Sequence, residues 1–246
     1  MIEGKRILAV VPARGGSKGI SMKNLREVCG VPLVAITGRV LQRMPVIDRA
    51  VISTDHDDIA AAGEENGIDA PFRRPESLSG DRIGDWDVLS HALQEMEKQD
   101  GCQYDVVVML QPTSPLRTPV QVGGCITMLL DGGYDAVWTV SPTDSKGHPL
   151  KQLVIREDGE MDYYDPRGAE IIARQQLTPV YHRNGVAYAI TRECLLDYGD
   201  IKGKRTGAYV IEEPLANIDT EEDLEWAEIL ARKLDLPWLT HTAEGS

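Results

Sequence analysis

Aromatic side chains are scarce in this chain: 5% of 246 residues, with a single Phe, so the core must rest on Val, Ile, Leu and Ala. No stretch approaches the ~18 apolar residues a membrane-spanning helix needs. The first apolar run, "RILAVV", is short and closed by Pro12 and Arg14, which does not read as a secretory leader. Cysteine is sparse and scattered. Cys29, Cys102, Cys125 and Cys194 form neither a C-x-x-C pair nor a zinc spacing, the pattern of reduced thiols in a cytoplasmic protein. His56, His91, His148, His182 and His241 show no ligand spacing, and no serine has the His–Asp partners of a hydrolytic triad. His182 stands out only because it precedes Arg183. Positive charge is short as well: 26 Lys and Arg against 39 Asp and Glu, a net charge of −13. That balance excludes nucleic acid or an anionic membrane as the main partner, but leaves room for a small anion held by a local cluster of cations.

Such a cluster is present. "AVVPARGGSKGISMKNLR", residues 9–26, carries Arg14, Lys18, Lys23 and Arg26 with three glycines and no acid. It matches neither familiar phosphate loop. Gly15 to Gly19 is one residue short for G-x-x-x-x-G-K-[ST], and the adjacent Gly15 and Gly16 break G-x-G-x-x-G. What remains is a strand followed by exposed amides and spaced cations, suited to a polyphosphate. Taken alone, it is equally a solvated basic loop.

The rhythm of the chain adds context. Strand-like "RILAVV", "RAVISTD" (49–55), "DVVVMLQP" (105–112) and "DAVWTV" (135–140) alternate with helical patterns at 31–44, 56–67, 86–99 and 119–133. This predicts an α/β domain with a mainly parallel sheet covered on both faces. From 141 to 185 the pattern changes to a hairpin turning at Asp158-Gly159 and irregular polar sequence, an inserted arm. The rhythm resumes with "GVAYAI" (185–190), "TGAYVI" (206–211) and a last helix at 220–235, where Thr220 and Asp223 have capping-box spacing. In open parallel sheets, ligands sit beyond the carboxyl ends of the strands. The basic loop, "STD" (53–55) and "QPTSPLR" (111–117) all leave such ends, so they converge if their strands are neighbours.

Six segments, "PARGGSKGISMKN", "STDHDDIA", "RPESLSGD", "QPTSPLR", "RNGVAYAI" and "NIDTEEDL", occur in the order seen in the CMP-acylneuraminate synthetases (acylneuraminate cytidylyltransferases). The chain resembles that family from residue 7 to about 225. The resemblance implies a Rossmann-like nucleotidyltransferase fold and a reaction in which CTP and an acidic 2-keto sugar give CMP-sugar and pyrophosphate, with Mg²⁺ or Mn²⁺ as cofactor. It also implies a homodimer joined through the 141–185 arm, and work in the cytoplasm.

By resemblance, Arg14, Lys18 and Lys23 hold the triphosphate and stabilise departing pyrophosphate. Ala13, Gly15, Gly16, Ser17 and Asn24 line the nucleotide, and Arg74 contacts the base. Gln111, Ser114, Arg117, Arg183 and Asn184 face the sugar, with Arg183 suited to its carboxylate. Two departures stand out. The family's Asp-x-Asp metal motif is Asn217-Ile218-Asp219 here, and Ile83 and Asp85 replace small residues beside the base. Alternatives are an eight-carbon acidic sugar as acceptor, or a nucleotide-binding module without turnover.

Overall fold

The computed structural model describes Ile2 and residues 4–239; His241 lies outside them. Strand β1 (Ile7–Pro12) is buried along its first five residues. After the basic loop, the short hairpin β2 (Glu27–Val28) and β3 (Val31–Pro32) leads into α1 (Leu33–Leu41), β4 (Arg49–Ser53) and α2 (Asp57–Glu64). Then come α3 (Asp85–Asp100), β5 (Val106–Met109), α4 (Pro119–Gly132) and β6 (Ala136–Pro142). An arm bearing the antiparallel pair β7 (Leu153–Ile155) and β8 (Met161–Tyr163) precedes β9 (Tyr181–Thr191). The chain closes through α5 (Arg192–Leu196), β10 (Thr206–Val210) and α6 (Glu221–Leu234).

The main sheet runs β10-β6-β9-β5-β1-β4, and only β9 is antiparallel to its neighbours. Alternation along the central strands explains its two-sided burial. Ile7, Ala9 and Val11 of β1, with Val106 and Val108 of β5, face the cluster completed by α1, α4 and α6. Leu8, Val10, Val107 and Met109 face the other way, onto Leu89, Leu93 and Met96 of α3. Local chemistry sets the helix ends. Thr118 and Thr220 cap α4 and α6 with reciprocal bonds to Gln121 and Asp223, and α4 stops at Gly133, whose φ is 60°.

Strand β9 departs from regular pairing. Its register with β6 shifts between Trp138 and Val140, where Thr139 opposes residues 184–187. The Thr139 hydroxyl lies 2.6 Å from Asn184 Oδ1 and accepts the Ala187 N–H at 3.0 Å, pinning this bulge. Gly185 sits in it with φ 73°, and a Cβ there would come within 2.5 Å of Ser114 Oγ. The sheet also claims more of the chain than expected. Because Pro142 pairs with Tyr181, the excursion spans 143–180 rather than 141–185. The residues from 151 to 164 are exposed.

Candidate active site

The three polar loops leave three adjacent strands, β4, β1 and β5, at one edge of the sheet. Those after β1 and β5 open onto a cleft of about 490 Å³, whereas the loop after β4 lines none of it and instead bonds Arg74 through Ser53 and the Gly15 N–H through Asp55. Arg14, Ser17, Lys18, Lys23 and Asn24 line it from the basic loop, Arg74 to Val88 from the segment before and into α3, Gln111 to Thr113 from the β5 loop, and Asn217 and Asp219 from the segment before α6. The loop is drawn tight by local bonds. Asn24 Nδ2 donates to the Arg14 carbonyl at 2.9 Å, and Gly19 packs so closely on Asp219 that a Cβ would meet its carbonyl oxygen.

Each cation on this loop has an acid. Arg14 and Lys18 share Asp81, at 2.9 and 2.7 Å, and the Lys18 hydrogen bond is the main reason the Asp81 carboxyl sits below its ordinary range. Lys23 Nζ, its side chain 14% exposed, lies 2.8 Å from Asp219 Oδ1 and 3.0 Å from the Ile218 carbonyl. Arg26 turns away and forks onto Glu221 at 2.5 and 2.6 Å. The acids that hold Arg14, Lys18 and Lys23 are open to water, Asp81 43% and Asp219 71% exposed, so they give way readily to a more highly charged anion. Asp81, Asp55 and Glu221 were not found by reading the sequence. Nothing local marks an acid 195 residues away as the partner of Arg26, or one 40 residues away as the acceptor of the Gly15 N–H.

Arg74 behaves differently. It is 6% exposed, its Nε donates to Ser53 Oγ at 3.0 Å, and its Nη2 donates to the Ser53 carbonyl. Burial pushes its guanidinium down to about 10, opposed by Asp55. Near it, Asp85 opens α3. Burial raises this carboxyl, while Arg183 and Arg74 pull it back.

Several expected site residues stand elsewhere. Ala13 is fully buried, and its N–H donates to the Ser53 carbonyl. The Gly15 N–H is taken by Asp55 at 2.8 Å, and neither Gly15 nor Gly16 lines the cleft. Arg117 corrects its expected sugar-facing role. It is 0% exposed, and it donates from Nε to the Ser114 carbonyl at 3.0 Å and from Nη2 to the Gln111 carbonyl. With no surface in the cleft, it shapes the loop from inside. Ser114, 1% exposed, likewise spends its hydroxyl on the Asn184 carbonyl at 2.7 Å.

Gln111 does reach the cleft. Arg183 and Asn184 line a second hollow of about 340 Å³ with Ser141, His182 and Glu212 to Asn217; Asn217 belongs to both spaces. Asn184 is largely committed to the bulge and to Ser141 Oγ at 3.0 Å, whereas Arg183 is exposed, its guanidinium 5.4 Å from the centre of the Trp138 ring. His182 pairs with Thr143 at 3.0 Å beside the hollow.

Asn217 and Asp219 are two apart on an extended segment, and both oxygen-bearing side chains line the same cleft. An amide oxygen and a carboxylate are hard donors that fit Mg²⁺ or Mn²⁺. Among the described residues no group of three or more His, Cys, Asp or Glu is placed to hold a metal, so substrate oxygens and water must complete such a site. Asp223, the next acid inward, is occupied in capping: its carboxylate accepts the Asp219 and Thr220 N–H groups at 2.9 and 2.8 Å. No helix among the described residues is long and apolar enough to cross a membrane.

Known proteins give the same picture. The chain is 27% identical over 231 residues to a flagellin modification protein B of Campylobacter coli, covering 94% of this chain and 97% of that one. It is 28% identical over 225 residues to a CMP-N,N'-diacetyllegionaminic acid synthase of Campylobacter jejuni, covering 91% and 94%. The structure of a CMP:2-keto-3-deoxy-manno-octonic acid synthetase complexed with CTP superposes over 94% of this chain and 100% of that one, with a TM-score of 0.68 and 17% identity, a likeness of fold. A family model described as cytidylyltransferase matches residues 8–236, and the chain belongs to that family.

Proposed function

We propose that this protein activates an acidic 2-keto sugar, a nonulosonic acid such as N-acylneuraminate or legionaminate, by reaction with CTP. The observation that carries this reading is the cleft itself. Three cations, Arg14, Lys18 and Lys23, share one cleft with Asn217 and Asp219, and Asn217 also lines the hollow bearing Arg183. The first space suits a triphosphate and the second an anionic sugar, whose carboxylate a forked guanidinium recognises better than an ammonium does. The names of the relatives support the same substrate classes.

In the reaction the anomeric hydroxyl forms a bond to the α-phosphorus of CTP. The α–β phosphate bond breaks, and pyrophosphate leaves with the negative charge. Such a transfer asks mainly for alignment and charge stabilisation. Arg14, Lys18 and Lys23 supply both on the leaving side once the anion displaces Asp81 and Asp219. Gln111, beside Gly185, orients the acceptor from the wall of the first space. A bound Mg²⁺ or Mn²⁺ neutralises phosphate charge, and Asp219 and Asn217 would hold it.

The arm supports a homodimer. Leu153, Ile155, Met161, Tyr164 and Ile172 are exposed along it, a run of apolar surface that a second copy of the chain would cover. In that arrangement the sugar hollow borders the partner subunit. The four free thiols accord with work in the cytoplasm.

Pyrophosphate release with CTP, Mg²⁺ and a panel of sialic, legionaminic, pseudaminic and eight-carbon acids tests the reading. Release with a nine-carbon acid supports it. Release only with an eight-carbon acid moves the assignment to that acceptor, and CTP binding without release from any sugar moves it to a binding module.

A further inference from the structure

The cleft has two chemically different ends. Next to Asp81, which holds Arg14 and Lys18, the segment 74–88 lines the cleft with the apolar side chains of Leu78, Ile83 and Val88 and with two further charged groups, Arg74 and Asp85. A triphosphate laid on Arg14, Lys18 and Lys23 therefore sends its base onto this segment. The two polar groups there are in unlike states. Arg74 is fixed, because Ser53 holds its Nε and Nη2. Asp85 is half-buried and makes no hydrogen bond or ion pair among the described residues; Arg74 and Arg183 act on it only through space. The neighbouring acids Asp55, Asp81 and Asp219 all have donors. A desolvated carboxyl group without a donor is unfavourable, and a ligand that brings an N–H relieves it.

We propose that Asp85 accepts the exocyclic amine of cytosine and makes this chain choose cytosine over uracil. The inference rests on the reading of the cleft as a CTP site and goes beyond it by assigning the base discrimination to one side chain. A fixed guanidinium and an acceptor carboxylate match the cytosine edge, which offers O2 and N3 as acceptors and the 4-amino group as donor. Uracil places its O4 carbonyl where the amine would be, so oxygen meets oxygen. Aspartate accepting from the 4-amino group is a pairing already used when proteins read cytosine in nucleic acids. A contact from Asp85 to the ribose hydroxyls would instead be blind to the base.

Calorimetric titration of CTP, UTP and inorganic tripolyphosphate into wild type and Asp85→Asn, with Mg²⁺ and no sugar, tests this. The carboxamide can present either oxygen or nitrogen, so the CTP-over-UTP preference should fall about tenfold or more, with tripolyphosphate affinity unchanged. An unchanged preference, or an equal fall for both nucleotides, overturns the assignment of Asp85 and leaves the CTP site standing. Failure of wild type to bind CTP overturns the CTP site itself. If Asp85→Asn does not fold by its unfolding transition, Asp85→Ser carries the same expectation.

Discussion

Arginine and lysine are used in opposite ways in the two loops that meet at the cleft. On the loop after β1, Arg14, Lys18 and Lys23 each pair with an acid that is itself open to water, Asp81 or Asp219. On the loop after β5, Arg117 is wholly buried, pairs with no acid among the described residues, and donates to two carbonyls of its own loop. Removing a buried cation strands the groups it satisfied, whereas removing an exposed one strands little. The first loop can therefore trade partners with a ligand. The second cannot, and instead fixes where Gln111 stands.

The largest effect that could break this contrast is on turnover. Lys23→Ala should lower pyrophosphate release by about 10²-fold or more, the scale of a lost charge-stabilising donor, with little change in the urea midpoint. Arg117→Met should do the reverse first. It leaves the Gln111 and Ser114 carbonyls without their donor and should cost about 2–4 kcal/mol in urea unfolding, with turnover lost only as the loop shifts. A midpoint unmoved by Arg117→Met would mean the buried charge is not holding the loop.

Charge can also be added on the exposed side. Asn217→Asp should tighten Mg²⁺ binding about tenfold, since a second carboxylate replaces a neutral oxygen, as read by metal titration in the presence of CTP. The same exposed-versus-buried division sorts the thiols. Burial pushes Cys125 and Cys194 up to about 12, so at pH 8 a thiol reagent should label only the partly exposed Cys29 and Cys102 in the folded protein. The smallest effect is at Arg26. Its fork onto Glu221 is exposed, and Arg26→Ala should leave both the midpoint and the rate unmoved within error.

Much of the frame was legible in the sequence because it rests on local patterning. β1 and β5 announced themselves as unbroken apolar runs, Asp158-Gly159 does turn the β7–β8 hairpin, and the Thr220–Asp223 capping box is present. The convergence of the β1 and β5 loops was also foreseeable once their strands were taken as neighbours, which they are, but the β4 loop expected beside them lines none of the cleft. What could not be read is direction and depth. Arg117 looks on paper like Arg14, a cation on a polar loop, and only the packing of Asn184 and Gly185 against that loop shows it to be internal. The β9 bulge depends on one hydroxyl, Thr139, reaching residues 45 and 48 positions away. Asp85 was visible as an oddity of sequence, but its lack of a donor is a fact of three dimensions.

The cations paired with water-exposed acids bear the triphosphate, on this view, while the buried, carbonyl-bound ones hold the scaffold. The sharpest check is the pyrophosphate-release rate of Lys23→Ala at saturating CTP and acceptor, measured beside its urea midpoint. A loss of about 10²-fold or more at an unchanged midpoint is expected. A rate near wild type, or a loss of rate explained by a collapsed midpoint, would contradict that division of labour.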